Sequence, residues 1–110
     1  MSQSLAQLVR EIANELADVT ASSAPGAPGA GPAVSTLTLS RSSTAFAVLG
    51  SSGIEIRLDP AIAAAAARTP DTAPSPRGRE WVRFNPRELD AHAIDRLRSW
   101  LAFAGRHAAG

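Results

Sequence analysis

An α+β fold is predicted by three features of this 110-residue chain. Residues 34–58 hold three successive strand-like runs, apolar or alternating, joined by connections short enough for hairpins. Both ends carry apolar residues at spacings of three and four, the signature of amphipathic helices. A further strand-like run, Trp81 to Phe84, lies between a Pro-rich loop and the last helix. The simplest arrangement is an antiparallel sheet of about four strands in chain order. An N-terminal helix, a short middle helix and a long C-terminal helix would pack on one face.

The first helix is expected over residues 4–19. Leu5, Leu8, Ile12, Leu16 and Val19 share a stripe, with Arg10, Glu11, Asn14, Glu15 and Asp18 opposite. Ser4 followed by Gln7 has the form of a capping box, which satisfies two orphan backbone N–H groups. Residues 20–33, TASSAPGAPGAGPA, combine three Pro and three Gly with no apolar periodicity. Such a segment reads as a flexible linker, because it buries too little surface to offset its ordering entropy. The chain thus divides into an amphipathic helix over 1–19, a linker over 20–33 and a small α+β domain over 34–110.

Within that domain, Val34 to Ser40 alternates, with Leu37 and Leu39 on one face and Thr36 and Thr38 on the other. Ala45 to Leu49 is apolar, and period two would put Phe46 and Val48 on a shared face. Ile54, Ile56 and Leu58 alternate with Glu55 and Arg57, the pattern of a half-buried strand. Asp59-Pro60 then supplies an N-cap and a first-turn proline for the middle helix, which ends before Pro70. Its contact surface is thin, Ile62 and a run of alanines. The loop 69–79, TPDTAPSPRGR, leads into the Trp81–Phe84 strand, closed by Asn85-Pro86. The last helix starts at 86 or 91, with Asn85 (paired with Glu88) and Asp90 as competing caps. Leu89, Ala93, Leu97, Leu101 and Ala104 form its stripe, flanked by Ile94, Trp100 and Phe103.

Composition removes several function classes. There is no Cys, so disulfides, thiolate metal sites and cysteine nucleophiles are excluded. All 11 basic residues are Arg, and Lys and Tyr are absent, which removes lysine Schiff bases and tyrosine acids. The pI of about 9.0 overstates the basicity of a chain with formal charge +1, since little titrates between neutral and strongly alkaline pH. Only residues 77–87 are locally basic, with Arg77, Arg79, Arg83 and Arg87 against Glu80. Neither a basic n-region with an apolar h-region nor an apolar stretch of about 20 residues is present. A cytoplasmic location and no membrane partner are the expectation.

Catalytic and metal constellations are equally sparse. His92 and His107 fall on one helix, roughly 22 Å apart, too far to share an ion. No nucleophile elbow, hydroxyl–imidazole pairing or phosphate-cradling glycine loop is apparent. The chain is therefore read as non-enzymatic, with no metal and no cofactor.

The most distinctive pattern is Arg79-Glu80-Trp81-Val82-Arg83-Phe84. If Val82 and Phe84 face the core, Arg79, Trp81 and Arg83 share the opposite face. Arg57 and Glu55 join them if this strand pairs with the third, and Arg77 lies just upstream. A tryptophan among guanidiniums suits an anchor for a protein partner, or base stacking with phosphate contact. The bland alternative is a covered tryptophan with the arginines as a solvated rim. The stripe Leu5, Leu8, Ile12 and Leu16 offers a second choice, packing on the domain in cis or against a copy or partner in trans.

Residues 53–107 resemble small bacterial domains of the YjbR/MmcQ-like kind and the short actinobacterial "luciferase domain" proteins. The step Ile54-Glu55-Ile56-Arg57-Leu58-Asp59-Pro60, the Arg79-Glu80-Trp81-Val82 segment and the helix with Asp90, Asp95, Leu97, Trp100 and Leu101 carry the likeness. The YjbR-like families imply a compact α+β fold with a curved antiparallel sheet and a suggested DNA-binding role. No catalytic residue is transferred by the likeness. The chain departs from both patterns at 20–33, and loop 69–79 lacks the histidine expected of the second family. The Ala, Arg and Pro bias without Lys matches a high-GC bacterial genome. The resulting expectation is a non-catalytic protein-interaction module, self-associating or with a protein partner. The alternative is a nucleic-acid-binding module using the basic segment 77–87.

Overall fold

The computed structural model describes residues 4–16, 18–24, 36–50 and 53–109. In chain order the elements are α1 (Leu5–Glu15), β1 (Val19–Ala24), β2 (Thr36–Arg41), β3 (Thr44–Gly50), β4 (Gly53–Arg57), α2 (Pro60–Ala66), β5 (Thr72–Pro74), β6 (Trp81–Phe84) and α3 (Ala91–Ala109). The strands form one antiparallel sheet in the order β1-β2-β3-β4-β6-β5. The α+β class and the three helices agree with the sequence; the sheet has six strands rather than about four.

Both unforeseen strands lie at sheet edges. Residues 20–24, expected to begin a linker, pair with β2 in β1, and Val19 belongs to that strand rather than to the first helix. Backbone bonds to a single neighbour define an edge strand, so a Thr/Ala/Ser sequence can form one without apolar alternation. The rest of the expected linker, 25–33, lies outside the described residues. Strand β5 is only three residues long, and Pro74 is tolerated there because an edge position need not donate on both sides.

Period-two alternation sends Leu37, Leu39, Leu49, Ile54, Ile56, Val82 and Phe84 into one buried cluster. That cluster also takes Leu8, Val9 and Ile12 of α1, Ala63 and Ala66 of α2, and Ala93, Leu97, Leu101 and Ala104 of α3. The β2–β3 register shifts between Leu39 and Ser40, a bulge that buries the consecutive residues Phe46 and Ala47 together. The expectation that Phe46 and Val48 share a face therefore fails. Phe46 is fully buried beside Gly105 of α3, whereas Val48 stays half-buried opposite Thr38 and Glu55.

Helix α1 packs in cis. Leu8 and Ile12 are 1% and 2% exposed, and Leu5 and Leu16 pack partly buried against the same core. Glu15 of α1 forms an ion pair with Arg98 of α3. The capping box is present, with Ser4 Oγ accepting from the Gln7 N–H at 3.2 Å. Asp59 Oδ1 accepts from the Ile62 N–H at 2.7 Å and caps α2. Asp90 Oδ1 accepts from the Ala93 N–H at 2.8 Å, which decides between the competing caps and starts α3 at Ala91.

Candidate functional site

Strand β6 carries the site because it is held on both sides. Its register with β4 sets Arg57 opposite Trp81, Ile56 opposite Val82, Glu55 opposite Arg83 and Ile54 opposite Phe84. Val82 and Phe84 point to the core, so Trp81 and Arg83 lie on the other face with Glu55 and Arg57. The period-two reading holds for Trp81, Arg83, Glu55 and Arg57; Arg79, expected on the same face, precedes β6 in the exposed turn before it.

The charges are more thoroughly paired than composition suggests. Arg57 Nε donates to Glu80 Oε2 at 2.8 Å, and Arg77 Nε donates to Glu55 Oε1 at 3.0 Å. Ser75, the one buried polar residue among those described, donates its hydroxyl to the other Glu55 oxygen. Ser75 Oγ also accepts from the Arg77 N–H at 3.2 Å, closing a small network around the carboxylate. Burial alone would raise the Glu55 pKa. The hydrogen bonds from Ser75 and Arg77, with the charges of Arg77 and then Arg83, outweigh it and hold Glu55 below the ordinary carboxylate range. Arg79 is exposed and makes no ion pair among the described residues.

This network fixes the loop that aims Trp81. Backbone bonds from the Ser75 N–H to the Trp81 carbonyl (3.2 Å) and from the Trp81 N–H to the Gly78 carbonyl (3.2 Å) fold residues 75–81 into a tight return. Gly78 allows that return with φ +147°, which other residues rarely adopt. The guanidinium of Arg77, not Arg79 or Arg83, stands 5.5 Å from the Trp81 ring centroid in a cation–π contact. Trp81 itself remains half-buried.

Beside Trp81 lies a groove of about 290 Å³, which sequence reasoning did not find. Pro60, Ala63, Ala64 and Ala67 of α2 and its C-terminal end make one wall. Trp81, Val82, Pro74, Gly78 and Arg79 make the other. The physical cause is the alanine run. A helix whose contact residues end at Cβ cannot fill the space before a tryptophan, so the gap stays open. The sequence signal was the thin apolar surface of α2; its consequence depended on which strand the helix would face.

The remaining candidates fall elsewhere. Leu5, Leu8, Ile12 and Leu16 pack with the core, away from any role that needs them free. On α3, the His107 ring stacks on Phe103 with centroids 5.7 Å apart. Trp100 meets Phe84 edge-on at 5.3 Å, with Arg96 over both rings. Among the described residues no group of three His, Asp or Glu side chains is placed to hold a metal ion. No helix among them is long and apolar enough to cross a membrane.

No family model matches the chain, and no curated protein or solved structure is similar to it.

Proposed function

We propose that this chain is a non-catalytic protein-interaction module that engages its partner through Trp81 and the adjoining groove. The observation that carries this reading is the half-exposed tryptophan forming the wall of an apolar concavity, its orientation fixed by Arg77, Glu55 and Ser75. A rigid aromatic beside a pocket, with arginine at the rim, is the composition that dominates binding energy at protein interfaces. Little ordering entropy is lost on binding, because the loop is already held.

The nucleic-acid alternative draws less support. Two of the four arginines on this surface, Arg57 and Arg77, are neutralised by Glu80 and Glu55. Arg77 also occupies a position over the Trp81 ring that a stacked base would need. Self-association is the homotypic form of the favoured reading, and light scattering at several concentrations of the full chain measures it. The full chain is the species to measure, since Leu8, Val9 and Ile12 belong to the core and β1 to the sheet.

The test is a displayed-peptide selection on the full chain, followed by rescreening on Trp81→Ala. The expected result is ligands that bind the wild type and lose about tenfold or more on the variant, the range of an interface anchor. A selection yielding no ligand that depends on Trp81 overturns the proposal. Salt-steep binding of a single-stranded oligonucleotide, weakened by Arg79→Ala and Arg83→Ala, would favour the alternative.

A further inference from the structure

We infer that the groove beside Trp81 takes a short segment of a partner protein in which aliphatic side chains flank a carboxylate. This rests on the interaction reading above and gives it a ligand chemistry.

Shape is the first argument. Pro60, Ala64 and Ala67 line the groove from successive turns of α2, a span of seven residues or about 10 Å along the helix. At roughly 3.3 Å per residue, that length accommodates about three residues of extended chain. A cavity of about 150 Å³ suffices for a benzene-sized apolar group, so the 290 Å³ present has room for one or two aliphatic side chains. The walls are Ala, Pro, Val and Trp surfaces, which reward burial of hydrocarbon.

Charge is the second argument. Arg79 contributes to the groove wall, is exposed, and has no ion-pair partner among the described residues. The carboxylates that could satisfy it are taken, Glu80 by Arg57 and Glu55 by Arg77 and Ser75. An acidic residue beside the buried aliphatic group would meet the unpaired guanidinium, whereas a lysine there would be repelled by Arg79. A phosphate backbone would satisfy Arg79 but leave the apolar trough unfilled.

The experiment is calorimetric titration of the full chain with four capped heptapeptides that differ only at their centres: Leu-Glu-Leu, Leu-Gln-Leu, Leu-Lys-Leu and Ala-Glu-Ala. Leu-Glu-Leu is expected to bind best. The glutamine form should be about two- to fivefold weaker, in line with an exposed ion pair, and the lysine form weaker still. Replacing both leucines by alanine should cost tenfold or more. Ala64→Phe, at an exposed helical position that fills the trough, should abolish binding while circular dichroism and Tm stay near wild type. Arg79→Gln should erase the difference between the glutamate and glutamine peptides and leave the leucine dependence intact.

Equal affinity of the glutamate and glutamine peptides for the wild type overturns the inference, as does full binding to Ala64→Phe. Free decanoate competing as well as the peptide would assign the groove to a small carboxylic acid and overturn the partner-segment claim. If none of the four peptides binds while the selection yields Trp81-dependent ligands of other composition, this ligand chemistry is wrong and the interaction module stands. If no Trp81-dependent ligand exists, both fall.

Discussion

Gly53→Ala should be among the most damaging single-methyl additions to this fold, and Gly50→Ala among the mildest. The two glycines face each other across the β3–β4 turn, so a difference between them isolates local geometry from composition. At Gly53 the backbone has φ +107°, and an added Cβ would lie 2.5 Å from the Phe84 carbonyl oxygen and 2.8 Å from Asn85 Cβ. Relief requires moving the end of β6 away from β4, because the first obstacle is backbone rather than a flexible side chain. Forcing the disfavoured φ costs about 1–3 kcal/mol, and overpacking a well-filled site adds about 1–3 kcal/mol. The sum, about 2–6 kcal/mol, is a large share of the 5–15 kcal/mol typical of a domain. At Gly50 an added Cβ meets nothing within 4 Å, so the change should stay within about 0.5 kcal/mol or stabilise slightly by restricting the unfolded chain. Urea unfolding of both variants reads this directly; with a slope of about 2 kcal/mol per molar, Gly53→Ala should lower the midpoint by about 1–3 M. A Gly53→Ala midpoint within 0.3 M of wild type, or an equal loss at Gly50, would refute the packing of β6 against the turn.

Two further expectations concern the elements around the site. Ile12→Ala removes a side chain only 2% exposed and should cost about 2–5 kcal/mol, a fall in Tm of roughly 8–20 °C; an unchanged Tm would mean that α1 does not belong to the core. Because the Glu55 pKa is lowered in the folded chain, its stabilising contribution is present above the unfolded carboxylate pKa and lost as pH falls through the folded value. The Tm gap between wild type and Glu55→Gln should therefore be widest near neutral pH and narrow on acidification. A gap constant across the acid range would show that the carboxylate's charge is not what Ser75 and Arg77 stabilise.

What the sequence disclosed, and what it withheld, divides along physical lines. Elements whose formation is driven by burial were legible, because their apolar spacing is written locally: Leu8 and Ile12 in α1, Ile54 and Ile56 in β4, Leu97 and Leu101 in α3. Caps were legible for the same reason, since Ser4 with Gln7 and Asp59 with Pro60 act within one turn. Strand β1 was not, because Thr20 to Ser23 gain their order from hydrogen bonds to β2, a partner found across a long connection. The bulge at Phe46 was hidden likewise: an extra residue in a ladder leaves no mark in a run that is apolar throughout.

The site was half legible. Period two alone brings Trp81, Arg83, Arg57 and Glu55 to one face. It could not indicate that Arg77, rather than Arg79, stands over Trp81, because that depends on how the loop 75–80 folds back through Ser75 and Gly78. Nor could it reveal the groove, which arises between a helix and a strand end that are distant in sequence.

The most direct test of the Trp81 site is a nuclear magnetic resonance titration of the ¹⁵N-labelled full chain with a selected peptide, read at the indole N–H signals. The chain has two tryptophans, and the second is an internal control: Trp100 is packed edge-on against Phe84, outside the groove wall. The Trp81 signal should move progressively to saturation, with backbone shifts at Ala64, Ala67 and Arg79, while the Trp100 signal stays in place. A saturating ligand that leaves Trp81 unmoved, or shifts Trp100 equally, would place binding elsewhere on the molecule and contradict the assignment of this groove as the interaction site.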